Sequence, residues 1–206
     1  MTTGIFGGSF NPIHTGHTRL GEWLVRKGFV DELWFLVSPL NPFKQTSTDL
    51  LCDSARLALA RLAVEGKPGL HVSDFEMHLP RPSYMVRTLA ELRTAYPERE
   101  FCLVIGADNW ARFPQWKESE EILRHHRVLV YPRPGCDPSP AGRPGAEFVP
   151  SPLFDVSSTQ IRQAIAAGRY HGRGLSPAVW REIKKKGYYK YKGARGKEQP
   201  HNLKTS

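Results

Sequence analysis

Two histidines three residues apart, His14 and His17, close the segment Gly7-Gly8-Ser9-Phe10-Asn11-Pro12-Ile13-His14-Thr15-Gly16-His17. The apolar Gly4-Ile5-Phe6 precedes it, and a helix-compatible run, Thr18 to Lys27, follows at once. The layout reads as strand, tight glycine turn and helix start. An open α/β sheet binds phosphate at such a turn, because glycine lets backbone N–H groups approach the anion and a helix N-terminus favours negative charge. Imidazole N–H groups at the same turn can donate to oxygens whose charge grows in a transition state. Zinc ligation is the competing reading, but a third protein ligand is not evident and the pair lacks the i, i+4 spacing with a glutamate.

Phosphate chemistry also asks for cations and a second helix end. Lys44 sits in the loop Pro39-Leu40-Asn41-Pro42-Phe43-Lys44, and Ser157-Ser158-Thr159 opens a helix that carries Arg162 one turn on. Hydroxyls, free N–H groups and a guanidinium aimed at one crevice would clamp a polyphosphate from the side opposite the histidines. The chain has neither a G-x-x-x-x-G-K-[ST] loop nor a G-x-G-x-x-G turn nor a G-x-S-x-G elbow. No general base stands out beyond the histidines. This inventory suits phosphoryl-type transfer to a ready nucleophile, which needs positioning and charge stabilisation.

The elements that must hold these groups alternate along the whole chain. Glu32 to Pro39 reads as a strand buried on both faces, Asp53 to Val64 as a helix, and Leu70 to Phe75 as a strand. Ser83 is placed to cap a helix reaching Ala95. Glu100 to Ile105 is the clearest buried strand and runs into Gly106-Ala107-Asp108. An aromatic segment, Asn109 to Trp116, precedes a helical piece, Lys117 to Arg124, and a strand, Val128 to Tyr131. Arg133 follows that strand, and 134–146, rich in proline and glycine, reads as a flexible surface loop. A short strand, Glu147 to Val149, leads to the Ser157 or Ser158 cap, and Ser176-Pro177 starts the last helix. The expected fold is α/β: one Rossmann-like, doubly wound, mostly parallel sheet with helices on both faces. Gly7 to His17, Pro39 to Lys44 and Gly106 to Asp108 all fall at strand ends, where such sheets form their ligand crevice.

The 206 residues carry a net charge of +9, of which 181–206 hold +7. The basicity therefore belongs to the last helix and the tail, a pattern explained by solubility or weak polyanion contact as well as by specific binding. The expected division is a domain over 1–192 and a basic, disordered tail over 193–206. No stretch approaches a membrane span, no secretory leader is visible, and three dispersed cysteines fit a reducing cytoplasm.

These motifs resemble a known family. Gly7 to His17 resembles the G-G-[ST]-F-[DN]-P-[IV]-H-x-G-H segment of the H-x-G-H nucleotidyltransferases, and Ser157-Ser158-Thr159-Gln160-Ile161-Arg162 is similar to their S-S-T-x-I-R motif. Asn41-Pro42-Phe43-Lys44, Pro82-Ser83-Tyr84, Thr88-Leu89, Gly106-Ala107-Asp108, Pro114 with Trp116, and Arg133-Pro134-Gly135 extend the resemblance toward the bacterial nicotinate-nucleotide adenylyltransferases. The resemblance implies transfer of AMP from ATP to nicotinate mononucleotide, giving deamido-NAD and pyrophosphate, with Mg²⁺ carried on the ATP phosphates. It casts His14, His17, Lys44 and Arg162 as catalytic. Gly7, Gly8, Ser9 and Phe10 would line the phosphate path, and Ser158 and Thr159 would hold the leaving phosphates. Gly106, Asp108 and Arg133 would bind the dinucleotide, and Trp116 would stack on the pyridine. It leaves self-association open. Met85 and Arg112 depart from the family pattern near the pyridine end, and Arg112 could favour an acidic acceptor. Nicotinamide mononucleotide and phosphopantetheine are the alternative acceptors, and nucleic-acid binding through the tail is the alternative of another class.

Overall fold

The computed structural model describes residues 1–39, 50–136 and 144–190. Among them the strands are β1 (Thr2–Gly8), β2 (Glu32–Val37), β3 (Leu70–Ser73), β4 (Glu100–Gly106), β5 (Val128–Tyr131) and β6 (Ala146–Phe148). The helices are α1 (Thr15–Arg26), α2 (Asp53–Val64), α3 (Met85–Ala95), α4 (Ala107–Trp110), α5 (Ser119–His125), α6 (Ser158–Ala166) and α7 (Pro177–Lys186). Short 3₁₀ turns occupy Phe75–His78 and Phe113–Gln115, so the aromatic segment before α5 is helical in part.

The strand order is β3-β2-β1-β4-β5-β6 and every pairing is parallel. Side chains alternate across the pleat, so β1 sends Ile5 to one face and Phe6 to the other. Phe6 joins Leu20, Leu24, Leu59 and Ile183 in the core that α1, α2 and α7 cover. Ile5 joins Leu89, Leu92, Phe113 and Ile122 in the core beneath α3 and α5. Because β2 and β4 flank β1, the chain leaves β1 in one direction and returns on the other side. That reversal opens a crevice beyond the carboxyl ends of β1 and β4.

Two capping details separate expectation from structure. Ser157 caps α6 and Ser176 caps α7, each hydroxyl accepting from a first-turn N–H. Ser83 does not cap α3. Tyr84 takes the N-cap position, and the Ser83 hydroxyl is buried without a hydrogen-bond partner.

Arg56 on α2 holds the strand ends in place. Its side chain is fully buried. Nη1 donates to the carbonyls of Ser9 at 2.6 Å and Ser38 at 2.8 Å, and Nε donates to Leu51 at 3.0 Å. Nη2 donates to Asp53 Oδ1 at 2.6 Å. One guanidinium thus ties the turn after β1, the end of β2 and the start of α2. Arg56→Met keeps the chain volume but leaves several carbonyls without a donor. It should cost roughly 3–5 kcal/mol, read from the urea unfolding midpoint and slope.

Candidate active site

The turn between β1 and α1 carries the two histidines. His14 takes the N-cap position of α1 with extended backbone angles. Its backbone N–H donates to His17 Nδ1 at 3.2 Å. An accepting Nδ1 puts the proton of a neutral His17 on Nε2, so that ring presents a donor on its far edge. The rings stack with centroids 3.6 Å apart and planes 20° from parallel. Gly16 permits this, because a Cβ there would lie 3.0 Å from His14 Nδ1.

His14 is 6% exposed and its Nδ1 has no hydrogen-bond partner. Burial, reinforced by the charge of Arg133, pushes its imidazole down from the ordinary 6.5 to about 3. The ring is therefore neutral near pH 7 and offers one N–H and one acceptor nitrogen. Phe10, at φ +43, does not reach a cavity. Its ring is 3% exposed and packs edge-on against Phe6, Phe35 and His17, supporting the turn from below.

The opening of α6 meets the same turn. Ser158 Oγ donates to the Pro12 carbonyl at 2.9 Å, and Arg162 Nη1 donates to the Asn11 carbonyl at 2.9 Å. Arg162 Nε is buried without a partner, whereas Thr159 is exposed. The two motifs, some 150 positions apart, are thus in direct contact. From the other side of β1, Arg133 after β5 lies with its Nε 3.6 Å from Asp108 Oδ1. Gly106 makes room for that approach, since a Cβ there would fall 2.4 Å from the carboxylate. Lys44 lies outside the described residues, as do 137–143 of the proline-rich loop, 191–192 and the whole tail, 193–206.

Two recesses flank the end of β1. A cavity of about 470 Å³ is lined by Gly7, Gly8 and Gly106 and by Tyr84, Met85, Trp116 and Lys117, among others. A narrow recess of about 20 Å³ is lined by His14, His17, Tyr131, Arg133 and Phe154, and Phe6 borders both. Trp116 is half-buried at the cavity wall and also packs on Phe113 at 5.4 Å. Arg112, the cation expected near the acceptor, is exposed and stands outside this lining. Lys117 lines it instead, with Nζ 4.8 Å from the centre of the Tyr84 ring. Arg56 and Lys117 were not singled out for the site by sequence. For the second of them, its place directly after Trp116 is the one signal that could have found it.

A large cavity of mixed lining and a cationic, histidine-lined recess at a parallel-sheet switch point are features of a nucleotide-binding α/β protein, and comparison with known proteins identifies it as a nucleotidyltransferase. The model of the cytidylyltransferase-like family matches residues 5–164, from β1 into α6. A Bacteroides fragilis protein bearing the name "probable nicotinate-nucleotide adenylyltransferase" is 51% identical over 182 residues, 88% of this chain and 90% of that protein. A Bacteroides thetaiotaomicron protein of the same name is 50% identical over 89% of this chain and 91% of its own length. The chain belongs to the nicotinate-nucleotide adenylyltransferase family. The fold is also that of the Plasmodium falciparum nicotinic acid mononucleotide adenylyltransferase solved with NaAD, at a TM-score of 0.75 and 16% identity, covering 91% of this chain and 97% of that one.

The low pKa of His14 makes a solution test. Above about pH 6.5 the ring is neutral folded and unfolded. Below that, the unfolded ring takes a proton that the folded ring refuses until about pH 3, so stability falls as pH falls through this window. A single such group contributes roughly 1.4 kcal/mol per pH unit. Between about pH 6.5 and 5, His14→Gln should therefore lose roughly 2 kcal/mol less unfolding free energy than the wild type. Equal losses in both proteins would exclude a neutral, buried His14.

Proposed function

We propose that this chain, with 1–192 as the working unit, transfers the adenylyl group of ATP to nicotinate mononucleotide, releasing pyrophosphate and forming deamido-NAD. The observation that carries the reading is the pair of recesses on either side of Phe6 at the end of β1, one lined by imidazoles and a guanidinium, the other by glycines, aromatic and apolar side chains and polar groups that include Glu76 and Lys117. The close relatives bear the name of that activity.

In the proposed reaction an oxygen of the mononucleotide 5′-phosphate attacks the α-phosphorus of ATP in line. The new O–P bond forms as the bond from the α-phosphorus to the bridging oxygen of pyrophosphate breaks. A phosphate monoester is largely ionised near neutral pH, so no enzyme base is needed to make the nucleophile. The barrier lies in bringing two anions together. N–H donors and cations fixed around the α-phosphate relieve it. His17 Nε2–H and the His14 ring supply donors, Arg133 and Arg162 supply positive charge, and Lys44 belongs to the same set. Gly7, Gly8 and Ser9 let the phosphates lie against the backbone, and Ser158 and Thr159 meet the leaving pyrophosphate.

Gly106 and Asp108 would meet the sugar of the dinucleotide. Trp116 would offer its face to the pyridine, and Lys117 would place an ammonium near the carboxylate that distinguishes nicotinate from nicotinamide. Bound Mg²⁺ would neutralise charge on the triphosphate. Among the described residues no group of three or more His, Cys, Asp or Glu side chains is placed to hold a metal, so the proposal brings the ion in with ATP. No described helix is long and apolar enough to cross a membrane.

The test is pyrophosphate release with ATP and each of three acceptors: nicotinate mononucleotide, nicotinamide mononucleotide and phosphopantetheine. Nicotinate mononucleotide should give the highest kcat/KM, and turnover only with another acceptor would refute the assignment. His17→Ala, which removes a donor to the transition state, should lower kcat by about 10²–10³-fold while the protein stays folded.

A further inference from the structure

The chain returns to the signature turn at its C-terminal end. α7 packs against α2 with Val179 and Ile183 buried, and Gly187, in the left-handed region at φ +67, ends the helix. Tyr189 adopts φ +62, in the left-handed region that is uncommon for a residue with a side chain. The consequence is a contact across 178 positions: Tyr189 Oη donates to Asn11 Oδ1 at 2.9 Å.

Asn11 is 5% exposed and joins several segments. The same Oδ1 accepts from the Leu51 N–H at 3.2 Å, just before α2, and the Asn11 carbonyl accepts from Arg162 on α6. An amide oxygen has two lone pairs, and Tyr189 and Leu51 use both. Asn11 lies three residues before His14, so whatever fixes its side chain fixes the approach to the histidine pair. Burial pushes the Tyr189 phenol pKa well above its ordinary value, against the nearby charges of Arg162 and Arg56. The hydroxyl therefore remains a donor throughout the neutral range.

We propose that Tyr189 is a positioning residue for adenylyl transfer: through Asn11 it holds the turn bearing His14 and His17 in register with α6 and Arg162. The proposal rests on the phosphate-binding reading of that turn. It gives the segment after α7 a part in the chemistry that its packing alone does not require, since the Tyr189 ring already packs against the core without its hydroxyl.

The experiment uses the full-length chain with Tyr189→Phe, Asn11→Ala and the double variant. Tyr189→Phe keeps the ring and removes one hydrogen bond. It should lower kcat about three- to tenfold, leave KM for the mononucleotide within about twofold, and shift Tm by no more than about 4 °C, so that the protein stays folded at the assay temperature. In the Asn11→Ala background, Tyr189→Phe should change kcat by less than about twofold, because the hydroxyl acts through Asn11. Unchanged kcat in the single variant, a loss matched by melting of the protein, or an undiminished second loss in the double variant would each overturn the proposal. Affinity for a non-hydrolysable ATP analogue, measured by calorimetry, repeats the comparison without an acceptor and should weaken in Tyr189→Phe. A wild-type chain that ignores nicotinate mononucleotide but binds the analogue would refute the acceptor assignment alone. An equal analogue affinity in wild type and Tyr189→Phe would overturn the positioning role of Tyr189 alone. If Asn11→Ala does not fold, Asn11→Ser takes its place in the cycle with the same outcomes.

Discussion

Every strand of the sheet runs the same way, and that constraint puts all the carboxyl ends on one edge. Because β2 and β4 flank β1, the chain reverses direction around it, and a crevice opens at the carboxyl ends of β1 and β4. Everything polar in the site gathers there: the glycine turn after β1, Gly106–Asp108 after β4 and Arg133 after β5. An edge where several loops begin would be loosely held without a common anchor. Arg56 provides it, binding main-chain carbonyls of the first two strand ends from a fully buried position. A guanidinium there is stable because its donors are matched by oxygens, not because a charge is intrinsically at home in a core.

The site combines one buried, uncharged imidazole with guanidinium groups already engaged by the protein itself. His14 is kept uncharged by burial, and His17 is oriented by a backbone N–H. Arg162 is engaged with the turn, and Arg133 lies beside Asp108. Such an arrangement is preorganised before any anion arrives, which is what electrostatic stabilisation of a transition state requires. In the proposed reaction the two histidines act as donors and need not act as bases. The proposed nucleophile is already ionised, and the work left to the protein is alignment and relief of repulsion.

The alternation of strands and helices, the parallel sheet it implies and the strand–turn–helix at the first strand were legible because periodicity and glycine placement are local signals. α2 runs from Asp53 to Val64, the bounds its apolar pattern suggests. The opening of α6 was legible through its serine cap. What sequence could not show is where long-range polar partners lie. Arg56 reads as a charge between leucines on a helix, and its partners are carbonyls up to 47 positions away. Tyr189 reads as part of a basic end, yet its hydroxyl reaches Asn11. Ser83 has the chemistry of a cap but sits one residue too early, so its hydroxyl is buried instead. Phe10 belongs to the phosphate-binding motif by position and to the core by packing. Arg112 and Lys117 differ in the same way: both are cations near Trp116, and only the second lines the cavity.

The central claim is direct transfer at the turn after β1, with no enzyme nucleophile between ATP and acceptor. The stereochemical course at the α-phosphorus tests it most directly. ATP made chiral at that centre by sulfur substitution is turned over with nicotinate mononucleotide, and the configuration of the thio-dinucleotide is determined. A single in-line displacement requires inversion. Retention would mean two displacements through a covalent adenylyl-enzyme and would contradict the account.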